Sequence, residues 1–366
     1  MRIFYPLAFI VALFFADSLS AVASEPVAKT LKAIDLGEGM EHPDGMTLHP
    51  KTGDIILAVP VVGKKGNAWL LRITKDDRVE KYFELPAHPE TGRVTPLGIA
   101  FGPDGHLYIA DSQCLGGNPN HKSRILRITH DRVGRPVRCE TVVTGLVQAN
   151  GLEIHGWNIY VAETQIDPAI VEMPMTSGVF RFPINELYGR RPIHVQPYGR
   201  DPRFIFRFTT TDADRNGEWK VGANGIGLSA DGTLYVANFG DKRLIEVALG
   251  RDGKTVRNAR DCNTDGPMES IDGIKVCPKG YVFFADFVGN AVHVMNPKNG
   301  KTVTLAKNAI NPNAEQKKAG ALDRCSEVCL RDGKVYVSNI DLESTEAPHT
   351  LTVLDLNGVD LDALLQ

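Results

Sequence analysis

The feature that most constrains this chain is a short pattern that returns six times. It reads PDGMTLHPKTGDIILAVP from Pro43, PLGIAFGPDGHLYIADS from Pro96 and ANGLEIHGWNIYVAET from Ala149. It comes back as ANGIGLSADGTLYVANF from Ala223, IDGIKVCPKGYVFFADF from Ile271 and CSEVCLRDGKVYVSNI from Cys325. Each copy is an alternating strand, a turn holding Gly or its equivalent, and a second strand ending in a small or acidic residue. In four copies a third strand is recognisable: RILRIT, GVFRFP, LIEVAL and AVHVMN. A period of roughly fifty residues built only from strands predicts one antiparallel sheet per repeat around a channel. The chain is therefore expected to be all-β, a six-bladed β-propeller with four-stranded antiparallel blades around a central channel. AKTLKAIDL, which precedes the first copy, is expected to close the ring as the outer strand of the last blade, beside TLTVLDL.

The ends of the chain bound its setting. Met1-Arg2, an apolar IFYPLAFIVALFFA and Ala21-Val22-Ala23 form a secretory signal peptide pattern. The expected division is a leader over 1–23 and one propeller domain over 24–366, periplasmic or secreted. The apolar run is short for a membrane span, and no Cys at the cleavage site suggests a lipid anchor. A net charge of −3, with both signs mixed along the chain, excludes a nucleic-acid stripe and a basic membrane-binding helix. Six cysteines in an exported chain predict buried thiols with one or two structural disulfides, their pairing open. None has zinc-ligand spacing.

In a ring, residues far apart in sequence crowd around one axis if they occupy equivalent positions. Gly45, Gly98, Gly151, Gly225 and Gly273 recur at the entrance to the innermost strand, predicting a sharp bend that a side chain would obstruct. The residue before each glycine is then aimed at the channel mouth. Those residues are Asp44, Leu97, Asn150, Asn224 and Asp272, with Ser326 in the sixth copy. Two carboxylates and two carboxamides are an oxygen-only ligand set. Such a set suits Ca2+ or another hard divalent cation, and without one Asp44 and Asp272 would repel each other. Neither His nor Cys occupies these positions, which disfavours zinc. The expected metal ligands are Asp44, Asn150, Asn224 and Asp272.

With ANGLEI, ANGIGL and IDGIKV in view, the chain resembles the six-bladed senescence marker protein/gluconolactonase family, with its relatives diisopropyl fluorophosphatase and the paraoxonases. The resemblance covers essentially the whole chain after the leader. It implies a catalytic Ca2+ or similar ion held by an acid in blade one, Asn in blades three and four and Asp in blade five. Those positions fall on Asp44, Asn150, Asn224 and Asp272. Two departures stand out. Asp44 replaces the family's usual Glu in an E-G-P sequence, and Gln148 stands where the gluconolactonase-type animal proteins carry a substrate-contacting Arg.

The function these features imply is a metal-dependent hydrolase, a lactonase opening a cyclic ester, with ester or phosphotriester hydrolysis as related chemistry. The cation polarises the substrate oxygen, and the resemblance makes Asp272 the base or the nucleophile. His42 is a further catalytic candidate as a proton shuttle near neutral pH. Gln148, Glu269 and Ser326 are candidates for substrate contacts. Two long connections, SQCLGGNPNHKS and TQIDPAIVEMPMTSG, are placed to cover the site, and the second carries Ile166, Ile170, Val171, Met173 and Met175. As an apolar lid it would favour a hydrophobic lactone over a sugar lactone. The competing readings are a strictosidine synthase-like condensing enzyme and an exported propeller that binds a partner with calcium only stabilising its channel.

Overall fold

Six antiparallel sheets stand around one axis, and successive innermost strands neighbour each other right round the ring. The computed structural model describes residues 25–366 apart from 116, 118–119, 171, 216, 263–265 and 343–345, so the leader lies outside the described residues. From blade one to blade six the innermost strands are Met46–Leu48, Pro96–Phe101, Ala149–His155, Ala223–Leu228, Ile274–Val276 and Cys325–Arg331. Each pairs antiparallel with the second strand of its own repeat. Asp231-Gly232 makes one such hairpin, with Gly232 at φ +86° and its N–H donating to the Ser229 carbonyl at 2.9 Å. Blade two alone gains a short parallel addition, Ile193–His194 on Val143–Thr144.

The second strands Ile55–Val59, Leu107–Asp111, Leu234–Asn238 and Val282–Asp286 are buried at every position. A strand with its two faces covered tolerates apolar residues throughout, which is why these segments lack clean alternation. The apolar core is accordingly not a single centre. Six clusters each fill the seam between two adjacent blades, as where Tyr108 and Ile125 of blade two meet Leu152 and Val161 of blade three. That division leaves the axis itself to polar groups.

The ring closes as the sequence predicts. Lys29–Asp35 runs antiparallel to Thr350–Asp355 and completes blade six from the other end of the chain. Polar groups reinforce the seam between blades six and one. Lys32 lies 2.7 Å from Asp77, Arg331 also pairs with Asp77, and the Arg331 guanidinium donates to the Ile73 carbonyl at 3.0 Å.

The recurring glycines answer to a different constraint from the one expected. None of Gly45, Gly98, Gly151, Gly225 and Gly273 has positive φ. In blades two, three and four the ladder skips at the anchor, between Pro96 and Ile99, Ala149 and Leu152, and Ala223 and Ile226. These bulges turn the anchor residue off the ladder. The glycine after it is needed because the next blade is too close. A Cβ on Gly225 would stand 2.3 Å from the Asp272 carbonyl oxygen, and one on Gly98 2.2 Å from the Leu152 nitrogen. The disulfide expectation is not met either: all six cysteines are free thiols. Cys139, Cys262, Cys325 and Cys329 are divided among separate seams, and Cys325 and Cys329 share one strand.

Candidate metal and active site

At one end of the channel is a recess of about 600 Å3, counting the space open to solvent. Asp44, Asn150, Asn224 and Asp272 all line it, and Leu97, Gln148 and Ser326 join them. The anchor residues of all six blades therefore meet in one cavity. The backbone holds them from behind. Asp44 N–H donates to the Ala58 carbonyl and Asp272 N–H to the Ala285 carbonyl, both at 2.9 Å, while Gly273 N–H reaches across to Ser326 of the next blade at 2.8 Å.

A second set of residues, not singled out by the sequence reading, fixes how the chain enters each anchor. The acid or amide ending the second strand accepts from backbone N–H groups just upstream of the anchor. Asp111 takes Thr95 N–H at 2.8 Å, Glu163 takes Val147 N–H at 2.8 Å and that of Gln148, and Asp286 takes Glu269 and Ser270 N–H, each at 2.8 Å. Asn339 does the same for Asp323 at 3.1 Å. The small or acidic residue closing the repeat was the visible signal, and in blades two, three, five and six it tethers the anchor loop.

Acidic groups crowd the axis. Burial raises the Asp44 carboxyl to about 6, against a hydrogen bond from Ser326. Asp272 lies well above the usual carboxylate range, first because it is buried and then because Asp44, Glu327 and Asp286 stand nearby; a hydrogen bond from Asn224 opposes the shift. Beside Gly273, Glu327 is pushed to about 8, again chiefly by burial. Of these acids Glu327 has an ammonium nearby. Lys275, reaching in from blade five, forms an ion pair with Glu153 of blade three.

A hard divalent cation fits these residues. It would be held by Asp44, Asn150, Asn224 and Asp272, and its charge is what would let two buried carboxylates ionise side by side. Among the described residues no cluster of three or more His, Cys, Asp or Glu is placed to hold a metal ion; the candidate set has two carboxylates and two carboxamides.

Two candidates lie away from the recess. His42, with φ at 59°, spends its ring on the seam between blades six and one, where Nδ1 lies 2.8 Å from the Ile340 carbonyl and 3.1 Å from that of Asp341. Glu269 contributes its N–H to Asp286, while its side chain is exposed and does not line the cavity. Among the described residues the segment from Thr164 to Gly178 lines none of the recess and does not supply the expected apolar lid. Met175 enters a strand opposite Thr210, and Ile166 N–H bonds back to the Thr176 carbonyl, which folds the loop onto its own blade. Val171 lies outside the described residues. Leu115, in the other long connection, does line the recess.

The apolar wall comes instead from Trp219, Val221, Phe239, Phe287, Ile340 and Leu342. Phe239, Phe287 and Ile340 each follow the last residue of a second strand, in blades four, five and six, and pack together with Trp219 and Val221 against them.

Comparison with known proteins agrees with this architecture. The family model described as SMP-30/Gluconolactonase/LRE-like region matches residues 202–312, from the outer strand of blade three through blade five. The matched region contains Asn224 and Asp272. Over nearly the whole chain the fold is similar to that of a gluconolactonase from Xanthomonas campestris, at 14% identity and TM-score 0.55, covering 92% of this chain and 99% of that one. It is similar also to the calcium-binding protein regucalcin from Agrobacterium tumefaciens, at 14% identity and TM-score 0.54, covering 89% and 93%. A PQQ-bound aldose sugar dehydrogenase from Streptomyces coelicolor has the same fold at 16% identity and TM-score 0.54, covering 90% and 98%. Comparison with curated protein sequences gives no match. The chain is thus a six-bladed propeller, and the resemblance to the SMP-30/gluconolactonase family is borne out by the match over residues 202–312.

Proposed function

We propose that this protein is an exported, divalent-cation-dependent hydrolase, a lactonase that opens a cyclic ester. The observation that carries the reading is the convergence of Asp44, Asn150, Asn224 and Asp272 on the floor of one cavity, with the Asp44 and Asp272 carboxyls pushed upward. The family match over residues 202–312 supports it, as does the likeness to a gluconolactonase and a calcium-binding propeller. Export rests on the leader pattern of residues 1–23.

When bound, Ca2+ or a similar ion supplies Lewis-acid polarisation of the scissile carbonyl and neutralises charge that develops on its oxygen. The chain's own residues do the rest. Asn150 and Asn224 present carboxamides to the floor, and Asn224 also hydrogen-bonds Asp272, which fixes that carboxylate's direction. Asp272, buried among acids, is a basic carboxylate by origin and is suited to take a proton from water or to attack the carbonyl carbon. Ser326 holds Asp44, and Gln148 offers the substrate an amide at the cavity's edge.

The deciding experiment assays lactones, aryl esters and phosphotriesters with wild type and Asp272→Asn, before and after chelation. The expected result is lactone turnover that is lost on chelation, restored by Ca2+, and reduced about 10²–10⁴-fold in the variant. Turnover that survives both treatments overturns the reading. Cation binding without turnover across the panel identifies a binding propeller instead.

A further inference from the structure

The cavity is divided between two chemistries. Its floor carries oxygen donors, which the proposed reaction already uses. One side of its wall, on blades four to six, is aromatic and aliphatic. Trp219 meets Phe287 edge to face at 5.4 Å between ring centroids, and Phe239 lies 6.2 Å from Phe287. The wall is held stiffly. The Arg324 guanidinium carbon sits 5.5 Å from the Trp219 ring centroid and 5.3 Å from that of Phe287. Its Nη1 donates to the Val288 carbonyl at 3.2 Å, and its backbone N–H donates to Asn290 at 2.9 Å. Trp219 N–H is anchored in turn on Asp212 at 3.1 Å. An arginine stacked behind two rings in this way fixes their position before any ligand arrives.

We infer that the substrate carries an apolar alkyl or aryl substituent, seated against Trp219, Phe239, Phe287 and Ile340, and that this wall selects against polyhydroxylated lactones. The inference rests on the hydrolase reading for the reaction and adds the class of substrate. Sugar hydroxyls turned toward blades four to six would lose water to ring faces and aliphatic carbons that return no hydrogen bond, which is a direct penalty. An alkyl chain in the same place gains with every methylene it buries. Phe239 is 3%, Phe287 4% and Ile340 4% exposed, so the wall is a packed surface and not a loose fringe. Leu342, at 37% exposed, forms the outer lip.

The test is kcat/KM for δ-lactones substituted from methyl to pentyl, with glucono-δ-lactone as the polar comparison. The expected result is a rise of about fourfold per methylene until the wall is covered, with glucono-δ-lactone below the methyl compound. Trp219→Ala should flatten that rise. Leu342→Ser, at the exposed lip, should lower it only for the longest chains, and this second variant guards against a folding defect in the first. Calorimetry with the matching alkyl δ-lactams, which are not hydrolysed, reads the wall without turnover. A flat series, or glucono-δ-lactone as the best substrate, overturns the inference and leaves the hydrolase reading standing. Chain-dependent lactam binding with no turnover supports the wall and overturns the hydrolase reading. Lactams that do not bind, or bind without regard to chain length, overturn the wall.

Discussion

Glu163 ends the second strand of blade three, is 1% exposed, and receives the N–H groups of Val147 and Gln148 on one oxygen. Its other oxygen has no partner among the described residues. Burial raises its pKa from the ordinary 4.5 to about 8, against those two backbone bonds. Between these values the folded protein binds a proton that the unfolded chain does not, so the contribution of Glu163 to stability falls as pH rises from 5 to 8. Glu163→Gln keeps an acceptor for the two N–H groups and removes the titration. Denaturant unfolding at pH 5 and pH 8 should show wild type losing on the order of 2–4 kcal/mol more than the variant across that range. Equal losses would show that Glu163 carries no proton. At this scale the sequence was informative about types and silent about tasks. Asp111, Glu163 and Asp286 were visible as repeat endings, but their use as tethers depends on backbone N–H groups some sixteen residues upstream.

Among the elements, the innermost strands of neighbouring blades approach until only glycine fits between them. Gly225→Ala would bring a methyl carbon within 2.3 Å of the Asp272 carbonyl oxygen and 2.9 Å of the Gly273 Cα, both backbone atoms that cannot swing aside. The expected cost is about 1–3 kcal/mol of stability. The shift falls on the strand entrance that carries Asp272, so cation affinity measured by calorimetry should fall as well. Gly189→Ala, where φ is −65° and the nearest atom is 3.5 Å away, is the control and should change neither. A Gly225→Ala protein with unaltered affinity would disconnect blade spacing from the site. Sequence spacing located these glycines. It could not tell a local bend from a close approach, because the obstructing atoms belong to the next repeat. The apolar wall was hidden for a related reason. Phe239, Phe287 and Ile340 occupy one position in three blades, while Pro60, Ser112 and Thr164 hold it in the others. The apolar loop from Thr164 to Gly178 was the more conspicuous candidate, and apolar content alone does not say which way a loop turns.

For the whole molecule, the period made the blade number, the sheet order and the strand exchange at the closure all legible, because a ring of sheets is the structure that leaves no repeat uncovered. A cation held in the channel would make the stability of the molecule depend on it. If the floor holds a cation that the unfolded chain does not, adding Ca2+ at about 100 times its dissociation constant should stabilise the protein by about 2.7 kcal/mol. Scanning calorimetry should show the gain in wild type and its loss in Asp44→Ala. A melting temperature indifferent to Ca2+ and to chelator would remove the cation from the floor. The closure makes a separate prediction. Removing residues 25–35 takes away Ile34 from the seam between blades six and one and uncovers the edge of Thr350–Asp355. The truncated chain should associate through that edge, visible as a shift to larger species than the full chain forms by size exclusion.

That same exchanged strand sets a timetable. Lys29–Asp35 is made long before its partner, Thr350–Asp355. Five blades can gather behind one another from local hairpins, but the sixth must wait for a contact that spans nearly the whole chain. Forming it requires closing a very long loop, a slow event whose entropic cost is met late in folding. Once latched, the ring opens only by surrendering that strand together with the Lys32–Asp77–Arg331 pairs across the seam. Slow assembly and long persistence are then two readings of one barrier.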